Sequence, residues 1–202
     1  MLPVNIARYL KLFYPSLTWR SEKREKVVHL TFDDGPHPGI SRWVMDELDK
    51  FGFTATFFCI GENMKKHPEV VQEMLERGHR IGNHTLNHFS GFGTPTDKYL
   101  DNVEGWSDEH QSKLFRPPYG RIRRAQIRAL RDRYDIVMWS ILSWDFKDGI
   151  DRESVLRQMR RGTRPGSIVV FHDSEKAESN LKSMLTPFCK FLRSEGYQST
   201  SL

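Results

Sequence analysis

Cysteine is scarce in this chain. Of 202 residues only Cys59 and Cys189 carry a thiol, and they lie far apart. Two such residues make no disulfide framework. Long apolar runs are missing as well. None approaches the roughly 20 residues of a membrane span, so no transmembrane segment is expected. The opening stretch MLPVNIARYLKLFYPSLTWR has neither the compact apolar centre nor the small-residue cleavage site of a secretory signal. By sequence that places the protein in the cytoplasm, with export open only if the chain starts short of its natural beginning. Repeats, low-complexity tracts and linker-like stretches after residue 26 are absent too, which argues for a single domain.

What is present is an ordinary globular composition, 38% hydrophobic and 28% charged, in a chain long enough to bury a substantial core. The net charge of +5 is unevenly spread. Residues 1–26 hold six basic side chains, Arg8, Lys11, Arg20, Lys23, Arg24 and Lys26, against Glu22 and Glu25. Within them Ile6, Tyr9, Leu10, Phe13 and Leu17 recur at helical spacing. A membrane-surface helix carries that signature. A short helix packed on the exterior explains it more simply, and residues 1–25 are read as a basic, aromatic extension of a domain over 26–202. The run RIRRAQIRALRDR (121–133) carries six arginines without interleaved aromatics. It reads as a solvated helix face, so no nucleic-acid partner is expected. The oligomeric state is not encoded legibly; a monomer is the simplest expectation.

From residue 27 onward, strand-like and helix-like segments alternate. An apolar, β-branched run at 27–32 is followed by a helix that stops at Gly52. A buried strand spans 54–60, and a helix follows with Pro68 in its first turn and Gly78 at its end. Short strands are expected at 79–83 and 113–116, separated by a weaker helix over 97–112 that Gly105 interrupts. The arginine-rich helix leads to a clear strand at 134–142, a helix at 152–161, a strand at 167–171, a helix at 178–195 and a final strand at 197–200. About seven such units predict an α/β fold built on a parallel sheet or barrel. One regularity locates the chemistry. Asp33 and Asp34, His84 and His88, Arg116 to Tyr119, Asp145, and His172 with Asp173 each begin where a strand ends. In parallel α/β folds those ends gather on one face.

The adjacent carboxylates of TFDDGP (31–36) repel each other unless a cation compensates. HTLNH (84–88) places two imidazoles one helical turn apart, so both can aim at one point. With Asp34 they offer three nitrogen and oxygen ligands for a divalent cation such as zinc, with a position left for water; cobalt, nickel and manganese suit the same donors. Asp33 can then stay ionised and act as a proton acceptor. The two prolines of RPPYG (116–120) fix the backbone, so that the Tyr119 N–H can face a developing oxyanion. Arg116 is expected to hold Asp33 in a bidentate contact, and His172 to serve as a general acid. Taken singly, each motif has a plainer reading: a turn, a pair of surface histidines, a Pro-rich loop, a buried structural histidine. Their recurrence at strand ends favours the chemical one.

These motifs, in order over about residues 26–200, resemble the polysaccharide deacetylases, the group that shares the domain of the rhizobial chitooligosaccharide deacetylase (carbohydrate esterase family 4). TFDDGP is similar to the family's first motif, with Asp33 as base and Asp34 as metal ligand. HTLNH resembles its H-[ST]-x-x-H motif, RPPYG its third and VVFHD its fifth. The resemblance implies a distorted (β/α) barrel, a bound divalent metal, and removal of acetyl groups from N-acetylated sugars such as peptidoglycan or chitin fragments. One motif departs. Where members often read D-S-x-D-W, this chain reads Leu142-Ser143-Trp144-Asp145-Phe146. Leu142 stands where an aspartate is expected to pair with the acid histidine, which leaves Asp145 or Asp173 to take over. Trp144, Asp145 and Phe146 form the expected substrate wall. A glycan-binding protein without hydrolysis and, less simply, a non-haem iron oxygenase are the rival readings of the same residues.

Overall fold

The structure is a computed structural model and describes residues 11–22, 25–107 and 109–202. The apolar run that opens the domain forms β1 (Val27–Asp33), every residue of which is buried. Strand β2 (Ala55–Cys59) lies beside it, fully buried as well. Strands β3 (Arg80–Asn83), β4 (Leu114–Phe115), β5 (Asp135–Ile136), β6 (Ile141–Leu142), β7 (Ile168–His172) and β8 (Gln198–Ser199) complete the sheet. The order is β5-β4-β3-β2-β1-β7-β6, with β8 paired to the start of β1, and every pairing is parallel. Strands buried on both faces read as continuous apolar runs rather than alternating ones, as VVHLTF and IVVF do.

Among the described residues, the helices that cover the sheet are α1 (Ile40–Asp49), α2 (Gly61–Lys66), α3 (Pro68–Glu76), α4 (Thr96–Glu104), α5 (Arg124–Leu130), α6 (Arg152–Gly162) and α7 (Glu178–Ser194). Pro68 sits in the first turn of α3, where its missing N–H costs nothing. Helix α5 buries Gln126, Ile127 and Leu130 and leaves Arg124 and Arg128 exposed, the solvated face expected of the arginine run. Helix α4 ends with Gly105 as its cap, shorter than the 97–112 expected from its pattern. The main core joins Val28, Leu30 and Phe32 of β1 to Phe57, Phe171, Leu185 and Phe188. No helix among the described residues is long and apolar enough to cross a membrane.

Two expectations change. The segment 134–142 is not one strand. It splits into β5 and β6, which lie at opposite edges of the sheet path. The four residues between them cross from one edge to the other, so the sheet curls into a half-barrel with a seam, the distorted (β/α) barrel that the motifs implied. The seam is also where the N-terminal segment belongs. Thr18 donates to the Ile136 carbonyl at 2.9 Å and accepts from the Met138 N–H at 2.7 Å, and Arg20 bridges to Ser167. Leu17 and Trp19 are buried against Tyr99, Phe115 and Met138. From Leu17 on, the extension is therefore part of the barrel wall rather than a helix on its exterior. Ile6, Tyr9 and Leu10 of the expected helix lie outside the described residues.

Candidate functional site

Parallel register sets the site. Asp33 stands beside Phe58 on one side and His172 on the other, and Cys59 beside Asn83 carries the chain directly into His84. The ends of β1, β3, β4, β6 and β7 thus open on one face, above a cavity of about 770 Å³. Its walls include Asp33, Asp34, His84, His88, Tyr119, Trp144, Phe146 and His172.

Asp34, His84 and His88 meet there. One donor atom from each lies within 4.8 Å of the others, with His88 Nε2 at 3.2 Å and His84 Nε2 at 3.7 Å from Asp34 Oδ1. The two histidines do not converge by a helical turn, as their spacing suggested. Residues 84–88 form a loop in which Thr85 and His88 have φ of 66° and 58°. Asn83 Oδ1 accepts from the Thr85 N–H at 2.8 Å and Thr85 Oγ1 from the Phe89 N–H at 3.2 Å, which holds the loop in that shape. Burial pushes the His84 imidazole down to about 4, so the ring is neutral near pH 7. With Nδ1 donating to the Arg116 carbonyl at 2.8 Å, its Nε2 lone pair faces Asp34, the tautomer a metal-binding histidine needs. Burial opposes the charge on Asp34, but the hydrogen bond from His88 and the nearby His172 and His84 outweigh it and hold the carboxyl well below the usual carboxylate range. A carboxylate and two imidazoles are the donors a borderline divalent cation takes.

Two ion pairs, each with one fully buried member, flank this cluster. Arg116 is fully buried, and its Nη1 donates to Asp33 Oδ1 at 2.7 Å. The same nitrogen reaches Thr31 Oγ1 at 2.7 Å, while Nε and Nη2 reach the Val137 and Met138 carbonyls at 3.3 and 3.1 Å. The expected bidentate contact is thus a single one, because the rest of the fork ties the seam. Phe58 packs its ring 4.1 Å from the guanidinium carbon. On the other side, Asp145 Oδ1 lies 2.7 Å from His172 Nδ1 and Oδ2 accepts the His172 N–H at 2.8 Å. Burial works against the charge of His172, but Asp145, followed by Asp34 and Asp33, outweighs it and pushes the imidazole up to about 9.

Asp145 was expected to touch substrate. It is fully buried behind His172 and does not line the cavity, so that assignment is corrected: with both oxygens engaged it is the partner of the histidine. Asp173 does not compete for that place. Burial pushes it up to about 7, the Ser41 hydroxyl and the Gly35 N–H donate to it, and a Cβ on Gly35 would meet its Oδ2 at 2.1 Å. Leu142 and Phe146 do line the cavity, and Phe146 stands edge-on to His172 at 4.9 Å. The Tyr119 ring is 62% exposed and 4.6 Å from His88. The Tyr119 backbone N–H finds no acceptor among the described residues, as an N–H kept for a ligand would.

Backbone strain collects at the same place. The described non-glycine residues with positive φ are Asp34, Thr85, His88, Tyr119 and Trp144, each in a strand-end loop of the site. Left-handed backbone is costly for residues with a side chain and persists where the surroundings impose it, typically at functional sites. No local sequence pattern signals it. The sequence reading also missed the wall formed by Tyr14, Leu17, Trp19, Met138 and Trp139.

Comparison with known proteins agrees with this geometry. A family model described as polysaccharide deacetylase matches residues 20–135. A peptidoglycan-N-acetylglucosamine deacetylase of Bacillus cereus is 32% identical, over 90% of this chain and 89% of that protein. The peptidoglycan-N-acetylmuramic acid deacetylase PdaC of Bacillus subtilis is 27% identical over 88% of this chain, which spans only 38% of that longer protein. A solved peptidoglycan N-acetylglucosamine deacetylase in complex with 4-naphthalen-1-yl-N-oxidanyl-benzamide superposes with a TM-score of 0.87 at 25% identity, covering 96% of this chain and 94% of that one.

Proposed function

The chain belongs to the polysaccharide deacetylase family, and on that footing we propose that it hydrolyses the N-acetyl groups of peptidoglycan sugars, N-acetylglucosamine first among them. The supporting observation is one arrangement: three metal-type donors within 4.8 Å of one another, set between a buried carboxylate and a half-buried imidazolium in the lining of one cavity.

Asp34, His84 and His88 would hold the divalent cation, zinc in our reading. A cation so placed supplies Lewis acidity to the acetamide carbonyl and lowers the pKa of water at the site. Asp33 accepts the proton of the attacking water, kept in place by Arg116 behind it. The free Tyr119 N–H donates to the carbonyl oxygen as negative charge develops on it. His172, held protonated by Asp145, gives its proton to the departing sugar amine. Trp144 and Phe146, tilted at 5.7 Å from each other, offer apolar faces to the sugar and its acetyl methyl.

The test is acetate release from N-acetylglucosamine oligomers and peptidoglycan fragments with zinc or cobalt added, alongside O-acetylated xylan and the Asp34→Ala variant. Release by the wild type and none by the variant, together with loss of bound metal in elemental analysis, is the expected result. Glycan binding without acetate release by the wild type would refute the hydrolytic reading.

A further inference from the structure

The cavity that begins at the three-donor cluster extends well past it. At about 770 Å³ it lies in the range that holds a whole drug-sized ligand. The methyl of an acetyl group needs about 30 Å³, the share of one water molecule in the liquid. Its lining divides into two zones. One is polar: Asp33, Asp34, His84, His88 and His172. The other is apolar: Leu142 of β6, Val170 of β7, Met138 and Trp139 of the seam crossing, and Leu17 and Trp19 of the N-terminal strap. Val170, Met138, Leu17 and Trp19 are all at most 5% exposed, while Leu142 and Trp139 are half-buried.

A sugar ring suits that zone poorly. Its hydroxyls would leave water for aliphatic and indole carbon, and the Val137 and Met138 carbonyls of the seam are already bound by Arg116. Buried hydroxyls without partners are unfavourable. An alkyl chain meets no such penalty. Its direction is also set, because an amide carbonyl carbon placed against Asp33 and the donor cluster carries only two substituents: the sugar nitrogen and the acyl tail.

We propose that this apolar zone is an acyl-chain subsite, and that the enzyme hydrolyses amino sugars N-acylated with short fatty acyl groups such as butyryl and hexanoyl, not acetyl alone. The proposal rests on the deacetylase reading and names the acyl class of the same site. The chemistry balances as ordinary amide hydrolysis. Water adds to the acyl carbon, the C–N bond breaks, the nitrogen takes a proton, and the products are the free amino sugar and the short fatty acid.

The experiment is a chain-length series on the full chain loaded with zinc: glucosamine trimers N-acylated with acetyl, butyryl or hexanoyl groups, with kcat/KM read from free amine. Burial of a methylene in an apolar pocket corresponds to about a fourfold gain per CH2, so butyryl is expected to exceed acetyl about 15-fold. Hexanoate should also inhibit as a product at a concentration at least about tenfold below acetate, which needs no variant. In Leu142→Trp, checked for folding by its thermal melt, the ranking should reverse and acetyl should lead. A flat or falling series with acetyl still turned over overturns the acyl-chain subsite and leaves the deacetylase reading standing. No turnover of any member overturns both.

Discussion

The two ion pairs beside the donor cluster are the same device in opposite polarity. In Asp33–Arg116 the carboxylate faces the cavity and the cation lies fully buried behind it. In His172–Asp145 the cation faces the cavity and the carboxylate is the fully buried member. The group behind bears the charge opposite to the group in front. A permanent guanidinium holds the Asp33 carboxylate in place, while a buried carboxylate keeps His172 charged and able to donate a proton. Acid and base thus each have a second partner of opposite charge, and neither partner touches solvent.

Substitutions that break one pole at a time sharpen this comparison. Asp33→Asn removes the acceptor and should lower kcat by about 10³-fold while metal content by elemental analysis stays at the wild-type level. Arg116→Met leaves Asp33 buried without its cation. A loss of roughly 3–5 kcal/mol in denaturant unfolding is expected, and the double variant Asp33→Asn/Arg116→Met should recover part of it because no lone charge remains. Full stability in the single variant would mean that the pair does not carry the seam.

Asp145→Asn acts on the other pole and should be milder near pH 6 than near pH 8. In the wild type the histidine is held up to about 9, so the alkaline limb of kcat/KM lies near there. Without Asp145 burial prevails and the limb moves to lower pH. The sign for stability follows from the same shift. Because the folded imidazole binds its proton more tightly than the unfolded one, its contribution is full below about pH 6.5 and is lost as pH rises through about 9. Thermal melts across that window should show the loss in the wild type and little of it in Asp145→Asn. The smallest effect is expected from Tyr119→Ala, less than about threefold in kcat, since the backbone N–H and not the exposed ring faces the reacting carbonyl. A large loss there would assign the work to the ring.

Much of the site was legible because parallel strands put their C-terminal ends on one face. Once TFDD, HTLNH, RPPY and FHD are placed at strand ends, convergence follows without any contact being known. The motifs' order along the chain likewise matched the family to which the chain belongs. Less legible were the features that depend on partners distant in sequence. Leu142 drew attention to a missing carboxylate, yet Asp145, three residues further, reaches His172 because the β6–β7 register sets the two strand ends side by side. The stretch 134–142 reads as one strand by composition, but its centre gives its carbonyls to Arg116 and its N–H groups to Phe115, Thr18 and Ile168 as it crosses the seam.

The sequence by itself determined which residues could do chemistry and on which face of the sheet they would stand, since residue type and strand direction are local properties. Only the tertiary structure decided how they are wired: Arg116 behind Asp33 across 83 positions, Asp145 behind His172 across 27, and Trp19 in the wall of the cavity. Those choices follow from register and from the curl that brings the two sheet edges together, and neither is written in the periodicity of any single segment.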